Sequence, residues 1–131
     1  DVLDACRSWA PQLQPLAWGA GPALAEAISD AQLLVNTTPV GMAATNNPEA
    51  ALACPLGAPE LEALAPGTWV YDIIYTPRPT QLLRRAAAQG CACLDGLEML
   101  VEQGAAALRL WSGRSDVPVE VMRQALLDHL P

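Results

Sequence analysis

The stretch that decides the fold is Trp69-Val70-Tyr71-Asp72-Ile73-Ile74, followed by Thr80 to Gln89, then Gly90 and Cys91-Ala92-Cys93-Leu94. The first segment is a β-branched and aromatic run, which predicts a strand. Thr80 is a helix N-cap and Gly90 a left-handed stop, so a helix lies between them. The second apolar run is a short strand. Two strands joined by a helix cannot be a hairpin; they form a right-handed parallel crossover.

Working outward, the same alternation continues on both sides. Leu33-Leu34-Val35 is a compact apolar run, as in a parallel strand buried on both faces. Before it, Leu24, Ala27, Ile28 and Ala31 recur at helical spacing, and Leu13 to Trp18 reads as a further strand. Residues 2–9 read as the tail of a helix. After the last strand, Gly96 opens a long helix whose apolar face carries Leu97, Leu100, Val101, Ala105, Leu108 and Trp111. Gly113 ends it, and Pro118 starts a final helix with Val119, Met122, Leu126 and Leu130 on one side. Residues 43–67 are rich in Asn, Pro and Gly and read as loop, broken by one short helix from Pro59 to Leu64. The expected architecture is α/β: an open, Rossmann-like parallel sheet with flanking helices, all within residues 1–131.

Composition bounds the function. Hydrophobic residues make up 52% of the 131-residue chain and charged residues 16%, which supplies a core and no disorder signature. The formal net charge is −7 and the seven cations are all arginines, single apart from Arg84-Arg85; no basic patch for nucleic acid exists. No apolar run approaches the ~20 residues of a membrane span, and no signal peptide is visible, so a cytoplasmic protein is expected. The chain opens directly into an amphipathic stretch, as a domain cut from something longer would. Of the four cysteines, none forms a Cys-x-x-Cys pair, and His129 is the single histidine. A zinc site is therefore not expected, and the thiols read as reduced. Ser112, Asp128 and His129 lack a nucleophile-elbow setting, and adjacent Asp128-His129 diverge around a helix, which argues against a hydrolase triad.

In an open parallel sheet, ligands bind beyond the carboxyl ends of the strands. Three segments lie there. Asn36-Thr37-Thr38-Pro39-Val40-Gly41-Met42 offers small hydroxyl side chains and a sharp exit; it reads as an ordinary strand-end turn or as a border for a sugar-phosphate chain. Asp72-Ile73-Ile74-Tyr75-Thr76-Pro77 brings out Tyr75, an apolar ring with one hydroxyl, either for a polar substrate or packed under a loop. Asp72 itself reads as a structural carboxylate, hydrogen-bonded to loop N–H groups. Asp95 to Gln103 starts a helix at Gly96, where backbone can approach closely and N–H groups favour a polar ligand. Gln103 lies two turns along; it is a surface residue or a donor and acceptor for a polyhydroxylated acid. Gly19-Ala20-Gly21 imitates a dinucleotide fingerprint, but Leu24 holds the third glycine position and no acidic residue near position 40 could grip a ribose.

The runs Leu34 to Met42, Val70 to Pro77 with Pro79 to Leu83, and Asp95 to Ala105 with Leu110-Trp111-Ser112-Gly113 together resemble the shikimate dehydrogenase family, over roughly residues 33–113. The resemblance implies hydride exchange between a nicotinamide dinucleotide, NADP with NAD possible, and the 3-dehydroshikimate/shikimate pair, a step of aromatic amino-acid biosynthesis. A quinate-acting relative using NAD, or a non-catalytic dinucleotide-binding module, is the alternative. It implies that Tyr75 and Gln103 contact substrate, that Ile73 and Gly96 contact the nicotinamide end through backbone groups, that Thr37 and Thr38 border the ribose-phosphate chain, and that Met99 packs beside the nicotinamide. The chain contains no lysine, so the family's catalytic Lys is not in it, nor is the partner Asp of the preceding domain or the Gly-rich loop. No catalytic residue is therefore expected in this chain, and the chain alone is expected to be inactive. The resemblance also implies two strands between Leu13–Trp18 and Leu33–Val35. Without them the sheet is incomplete on its N-terminal side, with an open edge that favours homo-oligomers, rearrangement or low stability.

Overall fold

The computed structural model describes residues 2–19 and 21–130, and Ala20, in the middle of the Gly-Ala-Gly imitation, lies outside them. The elements run α1 (Val2–Cys6), α2 (Pro22–Ser29), β1 (Leu33–Asn36), a 3-10 turn (Pro48–Leu52), α3 (Ala58–Glu62), β2 (Trp69–Asp72), α4 (Gln81–Ala88), β3 (Ala92–Leu94), α5 (Leu97–Ser112) and α6 (Val119–His129). The strands form a three-stranded parallel sheet in the order β1-β2-β3. Several helix boundaries have a local cause. The Thr80 hydroxyl accepts the Leu83 N–H at the start of α4, and Gly90, at φ +82°, turns the chain back after it. Gly113 adopts the left-handed conformation at the end of α5, and Pro118 precedes α6.

Register assigns side chains to the two faces of the sheet. Leu33 aligns with Trp69 and Ala92, Leu34 with Val70 and Cys93, and Val35 with Tyr71 and Leu94. The face of Leu34 and Val70 packs against Ile28 of α2, Leu56, Leu61, Leu64 and then Leu82, Leu83 and Ala86 of α4. That is the core, and the two crossovers build it. The opposite face is bare: Leu33 is 58% exposed, Trp69 57%, Leu94 46% and Val35 42%. Among the described residues β1 also has no neighbour on its outer edge, where the N–H and C=O groups of Leu33 and Val35 point.

Three expectations need correction. β1 is not buried on both faces: Leu33 and Val35 are exposed on the side away from the core. Residues 13–18 form no strand; Leu13, Leu16 and Trp18 stand exposed. A strand is held by ladder hydrogen bonds, and no strand lies alongside this segment to supply them. The Gly19-x-Gly21 imitation thereby loses the preceding strand that a dinucleotide fingerprint requires. The run Trp69–Ile74 is a strand only to Asp72. There the Asp72 carboxylate takes the N–H of Ile74 and withholds it from the ladder, although the Ile73 N–H still reaches the Asn36 carbonyl at 3.2 Å.

The last two helices are joined by a surface ion pair. Arg123 of α6 donates through Nε to Glu98 Oε1 at 2.9 Å and through Nη2 to Oε2 at 3.0 Å, and also meets Glu120. The hydrogen bonds from Arg123 hold the Glu98 carboxyl below its ordinary range. A depressed carboxylate contributes its stabilisation in full above the unfolded-state value and loses it as pH falls through the lower folded-state one. We expect amide exchange in α6 to be flat between pH 5 and 8 and to accelerate, relative to intrinsic rates, below about pH 4. In Glu98→Gln this additional acid step disappears; its persistence would show that another group governs the docking.

Candidate functional site

The carboxyl ends of β1 and β2 are tied together by one buried network. Asp72 is fully buried. Its Oδ1 accepts from Asn36 Nδ2 at 3.0 Å and from the Ile74 N–H at 3.2 Å, and its Oδ2 accepts from the Thr80 hydroxyl at 2.7 Å. Asn36 in turn accepts through Oδ1 from the Thr38 N–H at 3.0 Å and the Thr38 hydroxyl at 2.7 Å. A buried carboxylate is tolerated only when its lone pairs are satisfied, and here donors from β1, the β2 exit and the α4 cap all converge on it. The structural reading of Asp72 holds, and side chains share the work with the loop N–H.

A second set of contacts fixes the start of α5. The Gly96 N–H donates to the Ile74 carbonyl at 3.1 Å. A Cβ on Gly96 would sit 1.9 Å from the Ile73 carbonyl oxygen, so only glycine lets the two backbones lie this close. Asp95, just before the N-cap Gly96, accepts the Leu97 N–H at 3.0 Å, and its other oxygen takes Arg78 Nε at 2.6 Å. Arg78 therefore ties the loop after β2 to the loop after β3. Both side chains are partly buried.

Above these networks lies a cleft lined by Thr37, Thr38, Pro39, Met42, Ile73, Ile74, Tyr75 and Met99. Its walls are mostly apolar, with two threonine hydroxyls and one phenol as polar groups, the composition of a small-molecule site. The expected residues Thr37, Thr38, Ile73, Tyr75 and Met99 thus meet in one place, although 62 residues separate the first from the last. Gly96 lies beneath, against Ile73. Gln103 stands exposed on α5 one turn beyond Met99, on the same helix face but outside the lining. The sequence reading missed Met42, Ile74 and the Arg78–Asp95 tie. Met42 and Ile74 could have been found, since they flank the named threonines and tyrosine; nothing in the sequence pairs Arg78 with a carboxylate 17 positions away.

The thiols of Cys91 and Cys93 are pushed up by burial, and Cys93 further by its neighbour Cys91, which keeps them protonated near neutrality. Among the described residues no group of three or more His, Cys, Asp or Glu side chains could hold a metal ion, and no helix is long and apolar enough to cross a membrane.

A parallel α/β sheet with a mostly apolar, hydroxyl-bearing cleft at the tips of its strands is a Rossmann-like unit. Residues 96–127 match the family described as the Shikimate 5'-dehydrogenase C-terminal domain. The chain is 53% identical over 107 residues to the NADP(+) shikimate dehydrogenase of Nostoc sp. strain PCC 7120, and 51% identical over 118 residues to that of Synechocystis sp. strain PCC 6803. It belongs to the shikimate dehydrogenase family and corresponds to its C-terminal part. These alignments take in 82% and 90% of the chain but 35% and 38% of the two relatives, so the chain spans little more than a third of their length. Among solved structures, it is similar to the shikimate 5-dehydrogenase of Listeria monocytogenes in complex with shikimate and NAD, at TM-score 0.72 and 30% identity, covering 86% of this chain and 36% of that one. It is also similar to the quinate dehydrogenase of Corynebacterium glutamicum in complex with NAD, at TM-score 0.66 and 33% identity, covering 80% and 34%.

Proposed function

We propose that this chain is the nicotinamide-binding portion of an NADP-dependent oxidoreductase that interconverts 3-dehydroshikimate and shikimate. The observation that carries the reading is the convergence of Thr38, Ile73, Tyr75 and Met99 on one cleft at the strand tips, in a chain about half identical to NADP(+) shikimate dehydrogenases. The cleft suits the group: an apolar wall of Ile73, Ile74 and Met99 for the flat ring, with Thr37 and Thr38 at the ribose-phosphate side. When bound, a nicotinamide supplies or accepts the hydride. The residues of this chain bind, orient and exclude water. Met99 would hold the face of the ring, and the backbone groups of Ile73 and Gly96 would bind its polar edge. Tyr75 presents its phenol to the substrate, and Gln103, exposed on α5 outside the cleft lining, is the second substrate contact. A chain without lysine leaves the proton transfer to residues outside it, so residues 1–131 act as a partial dinucleotide-binding domain. The likeness to a quinate dehydrogenase in complex with NAD favours, as a second reading, a quinate-acting relative with the same cleft.

The test is an NMR titration of the isotope-labelled chain with NADP+, NAD+ and shikimate. Resonances of Thr38, Ile73, Gly96 and the Met99 methyl are expected to shift with the dinucleotides, and those of Tyr75 with shikimate. Perturbations confined to other surfaces, or none at millimolar ligand, would count against the reading.

A further inference from the structure

The hydrogen-bond network behind the cleft fixes more than the position of Thr38; it fixes the polarity of its hydroxyl. The backbone N–H of Thr38 can only donate, so the Asn36 atom facing it at 3.0 Å is the amide oxygen. The Asn36 NH2 must then face Asp72 Oδ1, which also receives the Ile74 N–H and is therefore an acceptor. Both ends of the amide give the same orientation. Thr38 Oγ1 lies 2.7 Å from that amide oxygen, which has no proton to give, so the proton between them belongs to Thr38. The same hydroxyl oxygen accepts the Val40 N–H at 3.3 Å. Its one proton and one of its lone pairs are committed to the protein. What remains on a side chain that lines the cleft is a single lone pair.

We infer that Thr38 meets a ligand in the cleft as a hydrogen-bond acceptor only, so that the group seated on it is a donor, a ribose hydroxyl or a carboxamide N–H, and not a phosphate oxygen. The inference rests on the reading of this cleft as a nicotinamide nucleotide site and sharpens it: Thr38 selects the sugar or amide portion of the ligand, and the phosphates lie elsewhere. A phosphate oxygen against Thr38 would bring two acceptors together. Donating instead to the phosphate would break the 2.7 Å bond to Asn36 and leave that oxygen with only the Thr38 N–H.

The test compares Thr38→Val, which keeps the shape and removes the lone pair, with Thr38→Ser, which keeps the hydroxyl, using nicotinamide mononucleotide and inorganic pyrophosphate as separate probes. Thr38→Val is expected to weaken nicotinamide mononucleotide about five- to tenfold, the loss of one neutral hydrogen bond, and to leave pyrophosphate unchanged. Thr38→Ser is expected to stay within about twofold of the parent for both. Equal losses for the two probes in Thr38→Val, or no loss for the mononucleotide, overturn the inference. If the parent chain binds no nicotinamide mononucleotide, the site reading fails separately. The polarity is then decided in the free chain by the Thr38 hydroxyl proton. A slowly exchanging resonance, close in space to no Asn36 amide proton, supports it. Exchange as fast as an exposed threonine's, or Asn36 amide protons directed at Thr38, overturns it.

Discussion

Gly96→Ala is expected to cost about 3 kcal/mol or more, enough to populate the unfolded state in a protein of ordinary stability. The reason is backbone against backbone. The added methyl would lie 1.9 Å from the Ile73 oxygen and 2.4 Å from its carbonyl carbon, and neither can rotate away as a side chain could. The conformation of Gly96, φ −79° and ψ 0°, has a negative φ that alanine can adopt, so no left-handed strain confuses the result. Alanine would in fact restrict the unfolded chain and gain a few tenths of a kcal/mol, up to about 1, at a site with room for it. The sign of the change therefore reports the packing alone. To fit the methyl, α5 must separate from the end of β2, which carries Met99 out of the cleft and breaks the Gly96 bond to Ile74. Urea unfolding measures the effect as a drop in midpoint at constant slope. A midpoint within error of the parent would mean that the close approach of the two loops is not there.

Asp72→Ala is expected to be comparably severe, about 3–4 kcal/mol, because it strands three buried donors at once: the Asn36 amide, the Ile74 N–H and the Thr80 hydroxyl. Asp72→Asn is the informative companion. Its amide oxygen can take the place of Oδ1 and keep the bonds from Asn36 and Ile74. Its NH2 then faces Thr80, whose hydroxyl can turn and accept. Only the strengthening that charge gives to the three bonds is lost, about 1 kcal/mol. Equal losses in the two variants would show that the charge of Asp72, which both remove, carries the effect, and not its volume or its count of acceptors. The cleft should respond in the same order, since the Thr38 turn hangs from Asn36 and Tyr75 follows directly on the captured Ile74 N–H.

How far these features could be read from the sequence depends on whether their cause is local. The helix from Gln81 to Ala88 was legible because Thr80 and Gly90 act within one turn of it, and β2 was legible because Trp, Val and Tyr favour the pleated backbone wherever they are. The segments carrying Thr37, Thr38 and Tyr75 were reachable because strand tips collect ligands in any parallel sheet, whereas Ile73 and Met99 were named only through the family resemblance. The strand expected at Leu13–Trp18 failed for the opposite reason. Its residue pattern is adequate, but a strand exists only in company, and the pattern cannot say whether a neighbour is present. The Arg78–Asp95 tie escaped notice for a similar reason. A single cation among prolines gives no sign of which carboxylate the fold will bring to it. The length of β2 was misjudged by two residues because Asp72 spends its acceptor locally, a competition that hydrophobic pattern does not register.

The bare sheet face alters the thermodynamics of the whole unit. Leu33, Val35, Trp69 and Leu94 already touch water in the folded chain, so melting uncovers less new oily surface than a chain of this length ordinarily conceals. The heat-capacity increment should shrink with it, and the curve of stability against temperature should flatten. Such a unit meets warming and cooling alike with a broad, shallow response, and its enthalpy changes little between them.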